Sequence, residues 1–406
     1  MKHIAIIGFG IVGGGIPDVI DSCRDGIINA LGEEVNVKYI LDLRDFPDSP
    51  LGDRVVHDIN VIVEDPEIEL VCETMGGSHP AYEFSVTCME HGISVVTSNK
   101  EVVANFGDKL LECAKKNAVS YLFEASVGGG IPCLRPFATS LGHEKITGVS
   151  GILNGTTNFI LTKMKTEGRE FADVLAEAQA LGYAERDPSA DVDGIDAMRK
   201  IIILTALATG KLASDKVVYA ETIRNITPAD IDAAERIGGA VKLIGTYKAV
   251  GDKMSVFVCP QIVKNDMALS AVNDVYNAVS VKCDITGDVM FYGRGAGRYP
   301  TAGAVVADAV AVLSGAAEVE KNHVFVRDDS AVLPFEDVKF TYYIRTAVSS
   351  AAEAVETFKG VFDDVTVLDG SADGVCEFIC GKLSKRELDA TLPALGDVQS
   401  VIRILE

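Results

Sequence analysis

The sequence predicts an α/β protein in three parts. A doubly wound parallel sheet covers residues 1–134, an α+β domain for substrate binding and dimerisation covers 135–316, and a small β-α-β-β-α-β domain covers 335–406. Three observations carry this reading. Short apolar strands alternate with helices through the first third, and glycines stand at the strand ends, as a parallel sheet with a ligand at its carboxyl edge requires. The texture changes at Gly148, where polar clusters begin to follow the strands. Pro334 then opens a tail whose apolar runs follow the order strand, helix, strand, strand, helix, strand.

Residues 3–7 form the first predicted strand. They run into Gly8-Phe9-Gly10-Ile11-Val12-Gly13-Gly14-Gly15, and a helix begins near Ile16. This is G-x-G-x-x-G in its required setting, strand before and helix after. The glycines turn the chain sharply and let backbone approach a pyrophosphate, while the helix N-terminus offers free N–H groups. The second strand, 35–41, follows an unusually long helix and ends at Asp42 and Arg44. An acidic side chain there accepts from a ribose 2′-OH and favours NAD; an arginine receives a 2′-phosphate and favours NADP. The chain carries both signals. The strand 69–73 ends in Thr74-Met75-Gly76-Gly77, at the same predicted sheet edge. A helix over 80–91 and a strand over 93–97 lead to Ser98-Asn99-Lys100 and a further helix. A strand over 120–124 leads to the glycine-rich loop 125–132. At a strand end Lys100 can bind a cofactor or act on a substrate, and a plain surface lysine would sit there equally well.

In the middle section a strand over 149–153 meets Asn154-Gly155-Thr156-Thr157-Asn158. This cluster is either a polar turn or a helix N-terminus aimed at an anion such as a carboxylate. Helices over 157–167 and 171–181 lead to Gly182-Tyr183-Ala184-Glu185-Arg186-Asp187-Pro188, with Asp191, Asp193 and Asp196 close behind. Pro188 ends any preceding helix and keeps the acidic residues on a loop. Residues 195–209 read as one apolar helix stopped by Gly210. Asp196 and Lys200 are four apart and share a face. Such a pair, if buried, can move protons; on a surface it is an ordinary weak ion pair. After a linker come strands over 253–259 and 278–285, then a second glycine-rich loop, 291–297. A helix over 299–316, rich in small residues, is expected to pack back on the first domain, with Gly297 on the cofactor. The middle domain reads as an open sheet, an arrangement that commonly dimerises. The tail strands fall at 338–346, 365–370, 375–380 and 398–405, with helices over 351–362 and 384–395, the ferredoxin-like order.

Composition narrows the class. A formal charge of −22 over 406 residues argues against nucleic acid or an anionic membrane as partner. No apolar run reaches membrane-spanning length and nothing resembles a signal peptide, so a cytoplasmic location is expected. Nine scattered cysteines with no CxxC pair suit reduced structural thiols.

With these stretches in place the chain resembles homoserine dehydrogenase from its start to about Leu313. The resemblance rests on Gly8–Gly15, Glu73–Gly77, Thr97-Ser98-Asn99-Lys100, Glu124-Ala125-Ser126-Val127-Gly128-Gly129-Gly130-Ile131-Pro132, the run from Gly151 to Asn158, Gly182–Pro188 through Lys200, and Gly293 to Thr301. It implies a Rossmann-type domain that binds NADP or NAD, with a slight lean to NADP because Arg44 matches the family position. The substrates implied are L-homoserine and L-aspartate 4-semialdehyde, on the route to threonine, methionine and isoleucine. Lys200 is then the general acid/base and Lys100 lies beside cofactor and substrate. Glu185 and Asp196 hold the substrate ammonium, Asp191 orients the lysine, and Thr156 with Gly155 meets the carboxylate. Cofactor contacts fall to Gly8, Phe9, Gly10, Ile11, Val12, Gly13, Arg44, Thr74, Met75, Gly76, Lys100 and Gly297. The family also carries a structural sodium ion, here on Glu124 and the carbonyls of Val127, Gly129 and Ile131. Analogy makes the assembly a homodimer or homotetramer. The tail resembles an ACT domain, but Ser349-Ser350-Ala351-Ala352 replaces the effector-binding turn and the Thr-His pair is replaced around Cys380-Gly381-Lys382. A structural or dimerising module with little threonine response is expected.

Overall fold

The computed structural model describes residues 1–318, 323–347, 356, 359, 362, 364–368 and 374–406. Apolar strands separated by helices build a six-stranded, wholly parallel sheet in the order β3-β2-β1-β4-β5-β6. Its strands are β1 (Lys2–Ile7), β2 (Val35–Leu41), β3 (Val55–Val56), β4 (Ile68–Glu73), β5 (Ser94–Thr97) and β6 (Tyr121–Leu122). Helices α1 (Gly15–Ser22), α2 (Arg24–Leu31), α3 (Asn60–Val63), α4 (Ala81–Glu90) and α5 (Lys100–Lys116) connect them. The long helix expected before β2 is in fact two, broken at Cys23, whose φ of −105° and ψ of 15° leave the helical region. Asn99 caps α5, its side chain accepting from the N–H groups of Glu101 and Val102. Strand order reverses at β1 and β4, so the ligand edge is the carboxyl end of those two strands.

The chain continues through α6 (Arg135–Ala138), β7 (Ile146–Ile152), α7 (Gly155–Glu167), α8 (Phe171–Ala180), α9 (Ser189–Val192) and α10 (Ile195–Thr209). Next come β8 (Lys211–Leu212), β9 (Tyr219–Ala220), α11 (Pro228–Arg236), β10 (Gly239–Val250), β11 (Lys253–Lys264), β12 (Tyr276–Cys283), β13 (Asp288–Arg294) and α12 (Arg298–Leu313). β10 and α11 fall where the sequence suggests a linker, and β13 takes in the first part of the expected glycine loop. Glycines do not break β13 because it pairs along its whole length with β12. The last elements are β14 (Val326–Arg327), β15 (Lys339–Ala347), β16 (Val365–Val367), β17 (Val375–Ser384), α13 (Lys385–Thr391) and β18 (Asp397–Ile404). The predicted helix over 351–362 lies almost entirely outside the described residues.

Contacts divide the chain into two units. The first holds residues 1–149, 199–215 and 276–329; the second holds 150–198, 216–275 and 330–406. In the first unit, Ile4 and Ile6 of β1, Ile16 and Ile20 of α1, and Ala302, Val305 and Ala309 of α12 form one core. Each buried branched side chain there contributes about 1.5–3 kcal/mol. α12 therefore packs on α1 and the sheet, and its small residues permit the approach: a Cβ on Gly15 would lie 3.1 Å from that of Ala302.

In the second unit β10 and β11 form a long antiparallel hairpin, and β11 also runs parallel to β18. The tail strands are antiparallel throughout, in the order β18-β15-β17-β16. Phe335, Phe340, Tyr342, Phe378 and Leu388 fill their core. Arg403 on β18 is buried in it, pairing with Glu221 at 2.7 Å and lying over the rings of Phe335 and Phe340 at 5.0 and 5.5 Å. All nine cysteines are free; Cys23 is exposed, Cys113 is half-buried and the other seven are buried. Among the described residues no helix is long and apolar enough to cross a membrane.

Removing Arg403 takes away the charged partner of Glu221, leaving it the Tyr219 hydroxyl at 3.0 Å, and unseats two rings. Arg403→Leu should cost the second unit about 2–4 kcal/mol, in the range for breaking a partly buried pair. The expected result is a lower melting temperature with unchanged dinucleotide affinity, measured by thermal unfolding and by fluorescence titration with NADPH.

Candidate active site

In the first unit the turn after β1 is forced by geometry. Gly8 sits at φ +87°, and a Cβ on Gly13 would fall 2.1 Å from the Gly8 carbonyl oxygen and 2.7 Å from Thr74 Oγ1. Only glycine allows that closeness. Thr74 Oγ1 donates to the Gly8 carbonyl at 2.6 Å, so the end of β4 braces the turn. A Cβ on Gly10 or Gly76 would meet nothing within 4 Å, which leaves open space before the backbone where a pyrophosphate would approach. Ile11 is exposed and Val12 half-buried at the tip of the turn. Arg298, next to Gly297, donates to the Gly14 carbonyl and to Asp18, each at 2.8 Å, fixing the start of α12 against the start of α1.

The two specificity residues meet. Asp42 accepts from the Phe9 N–H at 2.8 Å, and Arg44 donates to it through Nε and Nη2, each at 3.0 Å. Burial would raise the Asp42 pKa, but the bonds from Arg44 and Phe9 outweigh it and hold the carboxyl down at about 2. The Asp42 carboxylate is thus already engaged, while the exposed Arg44 guanidinium lies over Phe46 at 5.0 Å.

Beneath this edge lies Glu73, fully buried. Burial pushes its pKa up to about 7, against the pull of Thr97, whose Oγ1 donates at 2.5 Å, and of the Met75 N–H at 2.7 Å. Thr97 Oγ1 also accepts from the Asn99 N–H at 2.9 Å, and Asn99 Nδ2 donates to the Gly77 carbonyl at 2.7 Å. One carboxylate therefore ties the Thr74–Gly77 loop to the Asn99 cap that starts α5 at Lys100. Lys100 itself is half-buried.

Glu124 is also buried, and burial raises its pKa while N–H groups of Leu134 and Arg135 donate to its two oxygens at 2.8 and 2.6 Å and oppose the rise. The carbonyls of Val127, Gly129 and Ile131 belong to the loop that follows, bent by Gly128 and Gly129 at φ +75° and +54°. The Ile131 carbonyl accepts from the Cys133 N–H at 2.8 Å, and the Glu124 carboxylate retains lone pairs beyond the two in use.

In the second unit Asn154 lies two residues beyond β7 and caps α7. Its Oδ1 accepts from the Thr157 N–H at 2.9 Å, and its Nδ2 donates to Asp191 at 2.7 Å and Asp196 at 2.9 Å. Thr156 spends its hydroxyl on the Tyr183 carbonyl at 2.7 Å, which joins the start of α7 to the acidic loop. Glu185 is exposed on that loop, Asp191 half-buried, and Asp196 buried at 5%. α10 runs on from Asp196 to Lys200, one turn further and within the 199–215 segment of the first unit, and Lys200 is 7% exposed. The surface ion pair that the spacing also allows is thereby corrected: both residues are buried.

The structure thus gathers the turn residues, Thr74 to Gly76, the Asp42–Arg44 pair and Gly297 in one unit, and Thr156, Asp191 and Asp196 in the other. The sequence reading places Asn154, Glu73, Thr97 and Asn99 within its motifs but gives none of them a role of its own. Asn154 has a readable signal, an asparagine directly before a helical Gly-Thr-Thr; the burial of Glu73 has none.

A parallel sheet whose glycine turn leaves bare backbone facing open space at a helix N-terminus defines a Rossmann-type dinucleotide-binding protein. Comparison with known proteins narrows the class. The family model for homoserine dehydrogenase matches residues 132–310, and that for its NAD-binding domain matches 8–124. The homoserine dehydrogenase of Synechocystis sp. is 36% identical over an alignment of 430 residues, covering 99% of this chain and 99% of that protein. The Bacillus subtilis homoserine dehydrogenase is 40% identical over 314 residues, 77% of this chain and 72% of that one. A crystal structure of a homoserine dehydrogenase from Thiobacillus denitrificans matches with TM-score 0.90 at 32% identity, covering 100% of this chain and 98% of that chain. A hyperthermophilic archaeal homoserine dehydrogenase mutant in complex with NADPH matches with TM-score 0.65 at 30% identity, over 77% of this chain and 98% of that chain. The chain belongs to the homoserine dehydrogenase family.

Gly13→Ala should weaken dinucleotide binding by about a hundredfold or more, since the added Cβ must open the turn. Fluorescence titration with NADPH checks this, and unchanged circular dichroism would show that the sheet survives.

Proposed function

We propose that the protein catalyses the NAD(P)-dependent interconversion of L-homoserine and L-aspartate 4-semialdehyde, a step that serves threonine, methionine and isoleucine synthesis. One observation carries this reading: α10 bears a buried carboxylate at Asp196 and a buried amine at Lys200 four residues on. A substrate with an ammonium, a carboxylate and a reacting hydroxyl needs acceptors, helix-terminus donors and a proton acceptor, and this chain has each. Glu185 and Asp196 receive the ammonium. Gly155 and Thr156, at the free N–H groups of α7, receive the carboxylate. Lys200 takes the hydroxyl proton as the C–H bond breaks, and returns it in the reverse direction. Asp191 orients that lysine. Lys100, at the start of α5, supports proton transfer or cofactor binding.

The nicotinamide, when bound, exchanges the hydride with the carbon that bears the hydroxyl. Gly8, Phe9, Gly10, Ile11, Val12 and Gly13 hold its pyrophosphate, with Thr74, Met75, Gly76 and Gly297 around them. NADP is the favoured form. Asp42 already has Phe9 and Arg44 as donors, while Arg44 presents an exposed guanidinium to a 2′-phosphate. Glu124 and the carbonyls of Val127, Gly129 and Ile131 hold a structural sodium ion. The assembly is a homodimer or homotetramer. The tail, with its antiparallel β18-β15-β17-β16 order, is an ACT-like module in a structural role.

Initial rates with homoserine and each cofactor, with and without threonine, test the proposal. Turnover should be faster with NADP than with NAD, and millimolar threonine should leave it nearly unchanged. Absence of homoserine oxidation with either cofactor would remove the assignment. Lys200→Ala should lower kcat by about three orders of magnitude or more while NADPH affinity stays intact, as loss of a group acting only in the transition state predicts.

A further inference from the structure

The acidic loop poses an electrostatic problem. Asp191 on α9 and Asp196 on α10 come close enough to share one hydrogen-bonding group, and like charges at that range repel. The group between them is the Asn154 side chain, only 5% exposed. Its Nδ2 has two hydrogens, and the geometry gives one to Asp191 Oδ1 at 2.7 Å and one to Asp196 Oδ2 at 2.9 Å. Its Oδ1 accepts from the Thr157 N–H at 2.9 Å and from Thr157 Oγ1 at 3.1 Å. The planar amide is therefore fully used, donors on one side and acceptor on the other.

We infer that Asn154 is a positioning residue for substrate: it holds Asp196, an acceptor of the ammonium, in place beside Asp191 while fixing the helix terminus that receives the carboxylate. This rests on the reading of the site given above. The chemistry of the alternatives explains the choice of side chain. A lysine or arginine would hold the two aspartates but cancel the negative charge that draws an ammonium. An aspartate would cap α7 equally well, yet it donates nothing and adds a third negative charge. A serine caps the helix but is too short to reach two carboxylates at once. Asparagine alone among these is neutral, caps, and donates twice. The spacing of the amino and carboxyl groups of the substrate is then set by one rigid side chain, since both ends of the site are referred to the same amide plane.

Two variants separate positioning from mere structure. Asn154→Asp and Asn154→Ser both keep a helix cap and lose the paired donation. Each should raise the KM for homoserine by at least about tenfold, as expected when hydrogen bonds to charged groups are lost, with kcat changed by no more than about threefold. NADPH affinity should match wild type. An unchanged KM in a folded Asn154→Ser protein would overturn the inference. So would a fall in melting temperature accompanied by equal losses in kcat, KM and NADPH affinity, which would make the residue structural only. Failure of the wild-type protein to oxidise homoserine would instead defeat the functional reading, and this inference with it.

Discussion

A charge taken out of water must meet hydrogen-bonding partners, and this requirement organises both units. Glu73 is satisfied by Thr97 and Met75 under the nucleotide edge. Lys242, 2% exposed in the middle of β10, donates to the Val272 carbonyl at 2.6 Å and to Asn158 and Asn273 at 3.1 and 3.0 Å. Burial lowers its pKa to about 8, with Lys165 adding to the shift and Asp274 opposing it. Asn158 also donates to the carbonyls of Val272 and Asp274, so the first turn of α7 is bound to that loop by the same network. The inner end of α7 is bound by Asn154 to the acidic residues. Each network meets its ionisable groups with neutral amides, hydroxyls or backbone groups, so no opposite charge cancels them.

The nucleotide edge shows how adjacent residues with opposed meanings are reconciled. As letters, Asp42 and Arg44 point to different cofactors. In space the aspartate turns inward to the turn backbone and also anchors the arginine, so the two act as one device. The carboxylate is a fixed part of the scaffold, and the guanidinium is the part that faces outward. Their relation depends on the conformation of the three residues 42–44 at a strand end, which sequence spacing alone does not define.

Much of the architecture was legible where a local pattern decided it. β2 and α10 fall at the expected bounds, because an apolar strand bounded by charges and an apolar helix stopped by Gly210 leave little freedom. The turn of Gly8–Gly13 was legible because glycine spacing encodes a steric need. The strands that had no pattern of their own were decided by the neighbouring strand they pair with. β10 carries Lys242, Lys248 and two glycines, so it shows neither alternation nor a continuous apolar run; its pairing with β11 makes it a strand. β13 looks like a loop until β12 is beside it. The site was legible as residue types, and its buried or exposed character was not: the spacing of Asp196 and Lys200 alone favours an ordinary surface pair, and both are buried.

The break between α1 and α2 has a practical consequence. Cys23, which interrupts that helix, is the sole fully accessible sulfur among nine, and burial raises the pKa of the buried thiols, so the reactive thiolate is scarce at those positions. A maleimide dye would therefore attach to the native chain chiefly at Cys23. Such a probe would sit at the far end of α1 from the glycine turn and report on the nucleotide-binding unit without any engineered cysteine.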